Sequence, residues 1–251
     1  MKVISLGSGS KGNATLIEMD GKYILIDQGF SLKELSRRCD ISFKDFSAIL
    51  LTHEHSDHFL GVGALSKDYS IPVYMPKALD AVCSDRLLDC DVRYHNDVEF
   101  EVEGIKVSPF RLPHDARYTV GYKLQKGEQS FACVTDLGEA RENLFDNLVG
   151  VDTVLLESNY DEEMLKSGPY PEALKRRVSG RLGHLSNQES AKVSARLISK
   201  GTKNVILAHL SENNNVPELA YDTTAKYLEK NLNCDVRIRL LVAEQDKVKI
   251  F

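Results

Sequence analysis

Four potential metal ligands fall within six consecutive residues, in the segment Thr52-His53-Glu54-His55-Ser56-Asp57-His58. In an extended chain, side chains two residues apart share a face, so His53 and His55 can converge on one ion. Asp57 and His58 follow at a bend and can address a second ion. Because a chance HxHxDH pattern is rare in a chain with seven histidines, the segment predicts a metal site.

Three further candidate ligands lie at or just beyond the C-terminal ends of apolar segments that are typical of strands. His114 follows 107–113, Asp136 follows 131–135 and His209 follows 205–208. Strand ends that share one edge of a sheet bring their side chains into one cleft. Each residue is weak support by itself, but together they complete the ligand shell of a dinuclear site.

Two divalent ions a few ångströms apart lower the pKa of a bridging water, so that hydroxide is available as a nucleophile, and they clamp the attacked group. This chemistry suits phosphodiesters, thioesters and lactones alike. Histidine and aspartate ligands fit Zn²⁺, Mn²⁺, Fe²⁺ and Co²⁺, so the sequence leaves the metal open. Another feature must therefore select the substrate.

His184 is that feature, because it is not needed as a ligand and precedes a predicted helix with Ser186 and Glu189 as its capping box. The free N–H groups of a helix N-terminus attract phosphate, which makes Ser186 a candidate substrate contact. An imidazole there can protonate a leaving oxygen, and Glu157, at the end of a predicted strand, can orient it. The alternative is that His184 only packs against the helix.

Two segments supply the remaining candidate substrate contacts. Residues 168–181 carry a run of basic side chains, which is either a solvated helix face or a contact with backbone phosphates through Arg176 and Arg181. The glycines at 7, 9 and 12 match GxGxxG, but an alternating segment follows them instead of a helix, which excludes a dinucleotide site. We expect a turn there whose backbone, with Ser8 and Asn13, lies near a substrate anion.

The elements that position these residues come in two halves, each with strands first and helices after. The predicted strands cover 2–6, 14–19, 22–27, 46–52, 98–102, 105–111, 118–124, 130–135, 152–157, 204–208 and 236–242. The predicted helices cover 59–67, 77–90, 138–149, 171–179, 188–200 and 217–232, and another short one starts at the capping box of Ser31 and Glu34. Asp20-Gly21 is typical of a hairpin turn. The order indicates two packed sheets with helices outside.

With HxHxDH intact at 53–58, the sequence resembles the metallo-β-lactamase superfamily. The segments SGSKGN at 8–13, LIDQG at 25–29, GHLSN at 183–187 and AHLSENNN at 208–215 are similar to its YycJ/WalJ subfamily. The resemblance covers essentially the whole chain. It implies an α+β fold, a four-layer αββα sandwich, formed by residues 1–251 as a single domain.

The resemblance also implies the distribution of the ligands and the reaction. One metal would be held by His53, His55 and His114, the other by Asp57, His58 and His209, with Asp136 bridging. Similar Glu and His positions assist leaving-group departure in the tRNA-processing nucleases of the superfamily, which gives roles to Glu157 and His184. The subfamily points to a 5′→3′ exonuclease acting on DNA.

Other functions stay open or are disfavoured at this point. A small-molecule hydrolase for a thioester, lactone or cyclic phosphate is the alternative, and a non-enzymatic module is less favoured because no ligand is missing. Asp136 stands where the best-known true β-lactamases carry a zinc-binding Cys, which argues against antibiotic hydrolysis, and Cys133 is expected inside a strand. Only 73 positions separate Asp136 from His209, too few for a large inserted cap domain. The substrate surface is therefore compact or completed by a second subunit, and the oligomeric state is open, a dimer included.

Composition bounds the class of protein. The chain has 251 residues, 27% charged and 42% hydrophobic, as in folded globular proteins, and its net charge of −5 argues against non-specific coating of nucleic acid. The five cysteines show no CxxC spacing and are expected to be reduced core residues. The apolar start gives way to Gly and Ser too early for a signal peptide or membrane span, so we expect a cytoplasmic protein without membrane contact. His95 is expected in a surface loop.

Overall fold

A computed structural model describes residues 1–232 and 239–251 of the chain. Its strands are β1 Lys2–Gly7, β2 Ala14–Met19, β3 Lys22–Ile26, β4 Phe46–Leu50, β5 Val73–Pro76, β6 Val92–His95, β7 Phe100–Val102, β8 Ile105–Arg111, β9 Val120–Lys126, β10 Gln129–Val134, β11 Thr153–Glu157, β12 Asn204–Ala208, β13 Arg239–Val242 and β14 Lys249–Ile250. Within the described residues they form two seven-stranded sheets, in the orders β14-β1-β2-β3-β4-β5-β6 and β13-β12-β11-β10-β9-β8-β7.

The helices are α1 Leu32–Arg38, α2 Ser56–Phe59, α3 Val62–Tyr69, α4 Asp80–Cys83, α5 Glu142–Leu148, α6 Glu162–Ser167, α7 Glu172–Val178, α8 Asn187–Ser199 and α9 Pro217–Asn231. The predicted capping residues begin two of them: Ser31 accepts a hydrogen bond from the Glu34 amide, and Ser186 accepts one from the Glu189 amide. Across residues 1–232 and 239–251, no helix combines the length and the hydrophobicity needed to cross a membrane.

Alternation of side chains along the strands builds the layers. In β2, Leu16 packs outward in a cluster with helix residues such as Leu35, whereas Ile17 packs between the two sheets. In β12, Ile206 faces the space between the sheets and Leu207 packs outward in the cluster that contains residues of α8 and α9. Three buried clusters thus separate four layers, and the predicted αββα sandwich is confirmed.

The elements differ from the prediction mainly where they are short. The segment 77–90 is not one helix but a succession of short turns, with 3₁₀ turns Lys77–Leu79 and Ser84–Arg86 on either side of α4. The strands β5 and β6 and the helix α6 were not predicted, because four to six residues carry too little periodic pattern. In addition, Pro72 directly precedes β5 and Pro76 is its last residue, and prolines disfavour a strand assignment. Of the predicted strand 236–242, only 239–242 is described, as β13, and Cys234 lies outside the described residues.

Strand direction decides where the functional loops meet. The pairs β3–β4, β10–β11 and β11–β12 are parallel, so their C-terminal ends lie at one edge of each sheet. The strand β8 runs in the same direction as β10, since both are antiparallel to β9. The loops that follow β3, β4, β8, β10, β11 and β12 therefore gather at the same end of the sandwich.

Candidate metal centre

The HxHxDH loop follows β4 and is anchored on Asp27, which follows β3. The two carboxylate oxygens of Asp27 accept hydrogen bonds from the backbone amide and the hydroxyl of Thr52, each at 2.8 Å. Gly29 lets the backbone pass closely, because a Cβ at this position would lie 1.7 Å from the carbonyl oxygen of Asp57. The Asn13 amide donates to that same oxygen at 2.7 Å. The loop is thus fixed by the neighbouring strand ends.

The same anchor fixes two imidazole rings. The Nδ1 atom of His58 lies 2.7 Å from the Asp27 carboxylate and must donate to it. The Thr52 hydroxyl already donates to Asp27, so at 2.9 Å it accepts from Nδ1 of His53. In both rings the proton is therefore on Nδ1, and Nε2 is left with a lone pair for a metal ion.

Two further rings are oriented in the same way from the second sheet. Nδ1 of His114 donates to the carbonyl oxygen of Gly183 at 3.0 Å. Nδ1 of His209 donates to the carboxylate of Glu157 at 2.9 Å. An outer hydrogen bond at one ring nitrogen that leaves the other nitrogen free is the usual arrangement of metal-binding histidines.

The atoms that face the centre lack partners within the protein. Nε2 of His53, His114 and His209 and Oδ2 of Asp136 are buried without a hydrogen bond among the described residues. Buried polar atoms are normally paired, since leaving one unpaired costs about 1–3 kcal/mol. Three lone pairs and a carboxylate oxygen around one space form the donor set of a divalent transition-metal site, so the residues present fit such ions.

The possible ligand atoms fall into four overlapping groups, two of which correspond to the predicted ligand sets and two of which include Asp136, one with His53 and His58 and the other with Glu157, His184 and His209. His53, His55 and His114 form one predicted set, and Asp57, His58 and His209 form the other, with the ligand atoms of each group within 4.8 Å of one another. The carboxylate of Asp136 lies between the groups, with Oδ2 at 3.1 Å from Nε2 of His58 and Oδ1 at 3.6 Å from Nε2 of His114 and of His209. The structure thus brings all seven predicted ligands together.

Three non-glycine residues at strand ends take the left-handed backbone conformation. Asp27, Asp136 and His209 have φ values of 59°, 61° and 57°. Such conformations are uncommon for residues other than glycine and concentrate at functional sites. They turn the chain sharply after β3, β10 and β12, which directs the side chains of Asp136 and His209 to the centre.

The electrostatics of the cluster suit cations. Burial lowers the pKa of His53 and of His114, which keeps these imidazoles neutral as ligands must be. Burial opposes ionisation of Asp57 and Asp136, but the neighbouring histidines outweigh it and hold both pKa values well below the usual range. At His58 and His209, burial opposes protonation, but the surrounding carboxylates raise the pKa, at His209 to about 10, so a metal ion that binds Nε2 of these rings would displace a proton. The carboxylates therefore give the pocket a strong attraction for positive charge.

Glu157 links the metal centre to His184. Its Oε1 accepts from Nδ1 of His184 at 2.8 Å as well as from Nδ1 of His209. Its Oε2 accepts from the backbone amides of Leu137 and Leu185 at 3.1 and 3.0 Å. Burial would raise the pKa of Glu157, but the charge of His184 and these hydrogen bonds bring it to about 2. A fully buried carboxylate thus orients one ligand and one further imidazole together.

Three residues predicted as substrate contacts lie buried under the site. The Ser8 hydroxyl accepts from the His209 amide at 2.9 Å, and Ser186 caps α8. Nδ2 of Asn13 lies 3.1 Å from Nε2 of His58 and 3.3 Å from the carboxylate of Asp57. These contacts position the ligand loops and the His184 helix.

The basic segment lies across the mouth of the site. A cavity of about 220 Å³ over the metal centre is lined on this side by Arg177, together with Tyr170, Leu174 and Val178. Arg177 donates to the carboxylate of Asp115. Arg176 is exposed on α7 and does not line this cavity, while Arg181 is exposed and lies 3.7 Å from Glu139. The predicted run therefore contributes Arg177, rather than Arg176, to the wall of the cavity.

Asn159 is a site residue that the sequence did not single out. It follows β11, and its Nδ2 donates to the His209 carbonyl at 2.8 Å. Its backbone amide donates to the Leu185 carbonyl, and its carbonyl accepts from the Ser211 amide. Asn159 thus ties the loop of His184 to the loop of His209, a role that only its place after a predicted strand could have suggested.

The prediction that His95 lies in a surface loop is wrong. His95 ends β6, is buried, and its Nε2 donates to the Tyr122 hydroxyl at 2.9 Å, which in turn donates to the Leu51 carbonyl. Asp97 lies 3.9 Å away, and the Phe100 ring stacks on the imidazole. Burial lowers the pKa of His95 to about 4 against the opposing charge of Asp97.

Comparisons with known proteins agree with this geometry. A family model, the beta-lactamase superfamily domain, matches residues 22–210, which include all seven ligands. Exodeoxyribonuclease YycJ of Bacillus anthracis is 34% identical over 239 residues, covering 90% of this chain and 88% of that protein. Exodeoxyribonuclease WalJ of Streptococcus pneumoniae is 36% identical over 233 residues, covering 89% of this chain and 86% of that protein. The chain belongs to the metallo-β-lactamase superfamily.

The fold comparison gives the same result. The metallo-β-lactamase fold protein YhfI from Bacillus subtilis superimposes with a TM-score of 0.74 at 15% identity, covering 99% of this chain and 98% of that one. The superfamily assignment and the His/Asp cluster make the chain a metal-binding hydrolase. Cys133 lies inside β10 as expected, where burial raises its pKa to about 12, so that no thiolate ligand is available there.

Proposed function

We propose that this protein is a dinuclear metal-dependent phosphodiesterase that acts on DNA as a 5′→3′ exonuclease. The observation that carries the proposal is His184, an imidazole outside the seven predicted ligands that is bonded to Glu157 and lines the same cavity as members of both ligand groups. The names of the relatives from B. anthracis and S. pneumoniae support DNA as the substrate. The 5′→3′ direction follows from the resemblance to the YycJ/WalJ subfamily.

Seven side chains would hold two ions, Zn²⁺ or Mn²⁺, with Fe²⁺ as a further alternative. Bound there, two divalent ions supply hydroxide at neutral pH and clamp the phosphate oxygens. Asp57 and Asp136 provide the negative charge that such ions require. Three of the imidazoles are oriented by hydrogen bonds from Nδ1: His58 donates to Asp27, His209 to Glu157 and His114 to the Gly183 carbonyl.

His184 assists departure of the leaving group. Its Nδ1–H is committed to Glu157, so Nε2 is the atom that can transfer a proton to the leaving oxygen. The proton moves to that oxygen as the phosphorus–oxygen bond breaks, and the shortened strand keeps the phosphate. Arg176 and Arg181, both exposed near the mouth, add contacts with backbone phosphates.

A second candidate is a small-molecule metallohydrolase that acts on a thioester, lactone or cyclic phosphate. The observation in its favour is the small size of the cavity over the metal centre, about 220 Å³. An enzyme of this kind would hydrolyse small esters but not DNA. Charge reversal at Arg176 would leave its turnover unchanged.

The deciding experiment uses purified protein loaded with Mn²⁺ or Zn²⁺ and DNA labelled at either the 5′ or the 3′ end. We expect mononucleotides to be released progressively from the 5′ end of the strand, with single-stranded RNA as the comparison substrate. Turnover of bis-p-nitrophenyl phosphate without hydrolysis of any polymer would favour the second candidate and contradict the nuclease.

We further propose that residues 1–251 act as one hydrolase domain in the cytoplasm. The free thiols of Cys39, Cys83 and Cys133 support a reducing compartment, and a DNA substrate is compatible with it. A dimer that completes the DNA surface is an additional expectation, tested by light scattering of the metal-loaded protein with and without DNA.

A further inference from the structure

A second cavity lies on the other side of His114 from the metal centre. It has a volume of about 230 Å³, and His114 is among the residues that line both this cavity and the first one. Its other walls come from the end of β8, the loop after β10 and the start of α5. A space separated from reacting groups by one metal-binding side chain is placed to receive part of the same substrate.

The walls of this cavity combine apolar surface with positive charge. Leu112, Leu137 and Leu144 form a buried apolar lining, and Leu182 is an unusually exposed leucine, 51% accessible, at its edge. Arg111 and Arg141 also line it, together with Asn143 and Glu139. Flat apolar surface beside guanidinium and amide groups suits a nucleotide, whose base is apolar on its faces and whose phosphate is anionic.

The second cavity has an excess of positive charge, although the protein as a whole is acidic. Arg141 and Arg181 both share the single carboxylate of Glu139. Arg111 pairs with no carboxylate in the part of the chain that the structure describes, and its guanidinium lies over the Tyr118 ring at 3.4 Å. Two arginines thus share one carboxylate, and a third has no carboxylate partner among the described residues, in a chain of net charge −5. Stacking on Tyr118 also orders Arg111 before any ligand binds, which reduces the entropy lost on binding.

The cavity lies on the His184 side of the metal centre. The segment Arg181–Gly183 packs directly on Gly138, where a Cβ would lie 2.4 Å from the Arg181 carbonyl carbon. The same segment presents Leu182 to the cavity and continues into His184, and the Gly183 carbonyl accepts from His114. His184 therefore lies two residues along the chain from Leu182, which is at the edge of the second cavity.

We propose that this second cavity is the subsite for the nucleotide on the leaving-group side of the scissile phosphodiester. The proposal rests on the proposed nuclease function. In 5′→3′ hydrolysis that leaves a 5′-phosphate on the shortened strand, the departing 3′ oxygen belongs to the terminal nucleotide. The base of that nucleotide lies against Leu112 and Leu182, and its phosphate lies near Arg111.

The test measures binding of thymidine 5′-monophosphate to the metal-loaded protein by calorimetry, a readout that requires no turnover. Arg111→Ala removes the guanidinium charge from the second cavity. Leu182→Asp replaces an exposed apolar side chain at its edge by a carboxylate. The matched control is Arg93→Ala, because Arg93 is another exposed arginine over a tyrosine ring, Tyr74, and lines neither cavity. We expect each test variant to weaken binding about tenfold or more and the control to leave it unchanged.

Turnover separates the subsite from the reaction itself. Bis-p-nitrophenyl phosphate carries no nucleotide, so Arg111→Ala should leave its hydrolysis unchanged while the KM for DNA rises. If the wild type does not cut DNA, the nuclease proposal fails, and the nucleotide titration still decides the subsite. Nucleotide binding within twofold of the wild type in both Arg111→Ala and Leu182→Asp overturns the subsite, as does a wild type that binds no nucleotide.

Discussion

Replacing Glu157 by Gln tests the link between the metal centre and His184 with almost no change in shape. The carboxylate receives four donors on its two oxygens: Nδ1 of His184, Nδ1 of His209 and the amides of Leu137 and Leu185, at 2.8–3.1 Å. A glutamine has one oxygen and one NH₂ group. Whichever way the amide turns, two of the four donors meet another donor in place of an acceptor.

The expected loss of stability follows from the number of donors left unpaired. An unsatisfied buried donor costs about 1–3 kcal/mol, so two of them reduce the free energy of unfolding by about 2–6 kcal/mol. For a chain of about this size each kcal/mol lowers Tm by about 2–4 °C, so the expected fall is at least about 4 °C. Loss of the bond that orients His209 should also weaken metal affinity by about 10–100-fold.

The assay combines thermal unfolding of the metal-loaded protein with competition for metal by a chelator of known affinity. Glu162→Gln is the matched control, because Glu162 is exposed and accepts one hydrogen bond, from Ser186 at 3.0 Å. That variant should stay within about 0.5 kcal/mol of the wild type. Wild-type Tm and metal affinity in Glu157→Gln would refute the account of Glu157 as the common support of both imidazoles.

Further predictions concern substitutions of single residues. Asp57→Ala should abolish hydrolysis of every substrate because it removes a metal ligand, whereas His184→Ala should slow DNA, with its poor leaving group, far more than bis-p-nitrophenyl phosphate; equal loss on both substrates would exclude proton donation. Gly29→Ala places a Cβ 1.7 Å from a backbone oxygen of the HxHxDH loop, so metal content measured by elemental analysis should collapse. His95 has a pKa of about 4 when folded and about 6.5 when unfolded, so the unfolded state binds the proton first. The buried neutral imidazole therefore contributes about 3 kcal/mol to the free energy of unfolding, a contribution that is complete above pH 6.5 and is lost as the pH falls towards 4. Urea unfolding at several pH values should show this slope in the wild type and a smaller one in His95→Phe.

Much of the site could be predicted because its ligands obey local rules. HxHxDH is a contiguous pattern, and His114, Asp136 and His209 each follow a recognisable apolar strand. The partner of His184 was also predictable, since Glu157 ends a strand in the same half of the chain. By contrast, Asp27 and Asn159 act through hydrogen bonds to residues distant in sequence, and no local pattern distinguishes such residues from ordinary loop residues.

Predictions failed for residues whose burial depends on contacts with other strands and helices. His95 stands in the polar segment Tyr94-His95-Asn96-Asp97, which favours an exposed loop. In the structure, however, β6 pairs with β5, and the Tyr122 hydroxyl of the other sheet accepts a hydrogen bond from His95. In the basic segment, the sequence indicates a charged helix face but not which arginine lies over the cavity. A rotation of about 100° between successive helix residues separates Arg176 from Arg177, and only packing fixes that rotation.

The sequence by itself determined the layered architecture, the candidate metal ligands and the kind of chemistry, because strand periodicity and ligand spacing are properties of short segments. Tertiary structure alone decided which ring nitrogen of His53, His58, His114 and His209 is tied to an outer hydrogen bond, and that a second cavity adjoins His114. These features depend on hydrogen bonds and contacts between segments as far apart as Ser8 and His209. Such contacts exist only when parallel strands from both sheets end at the same edge of the sandwich.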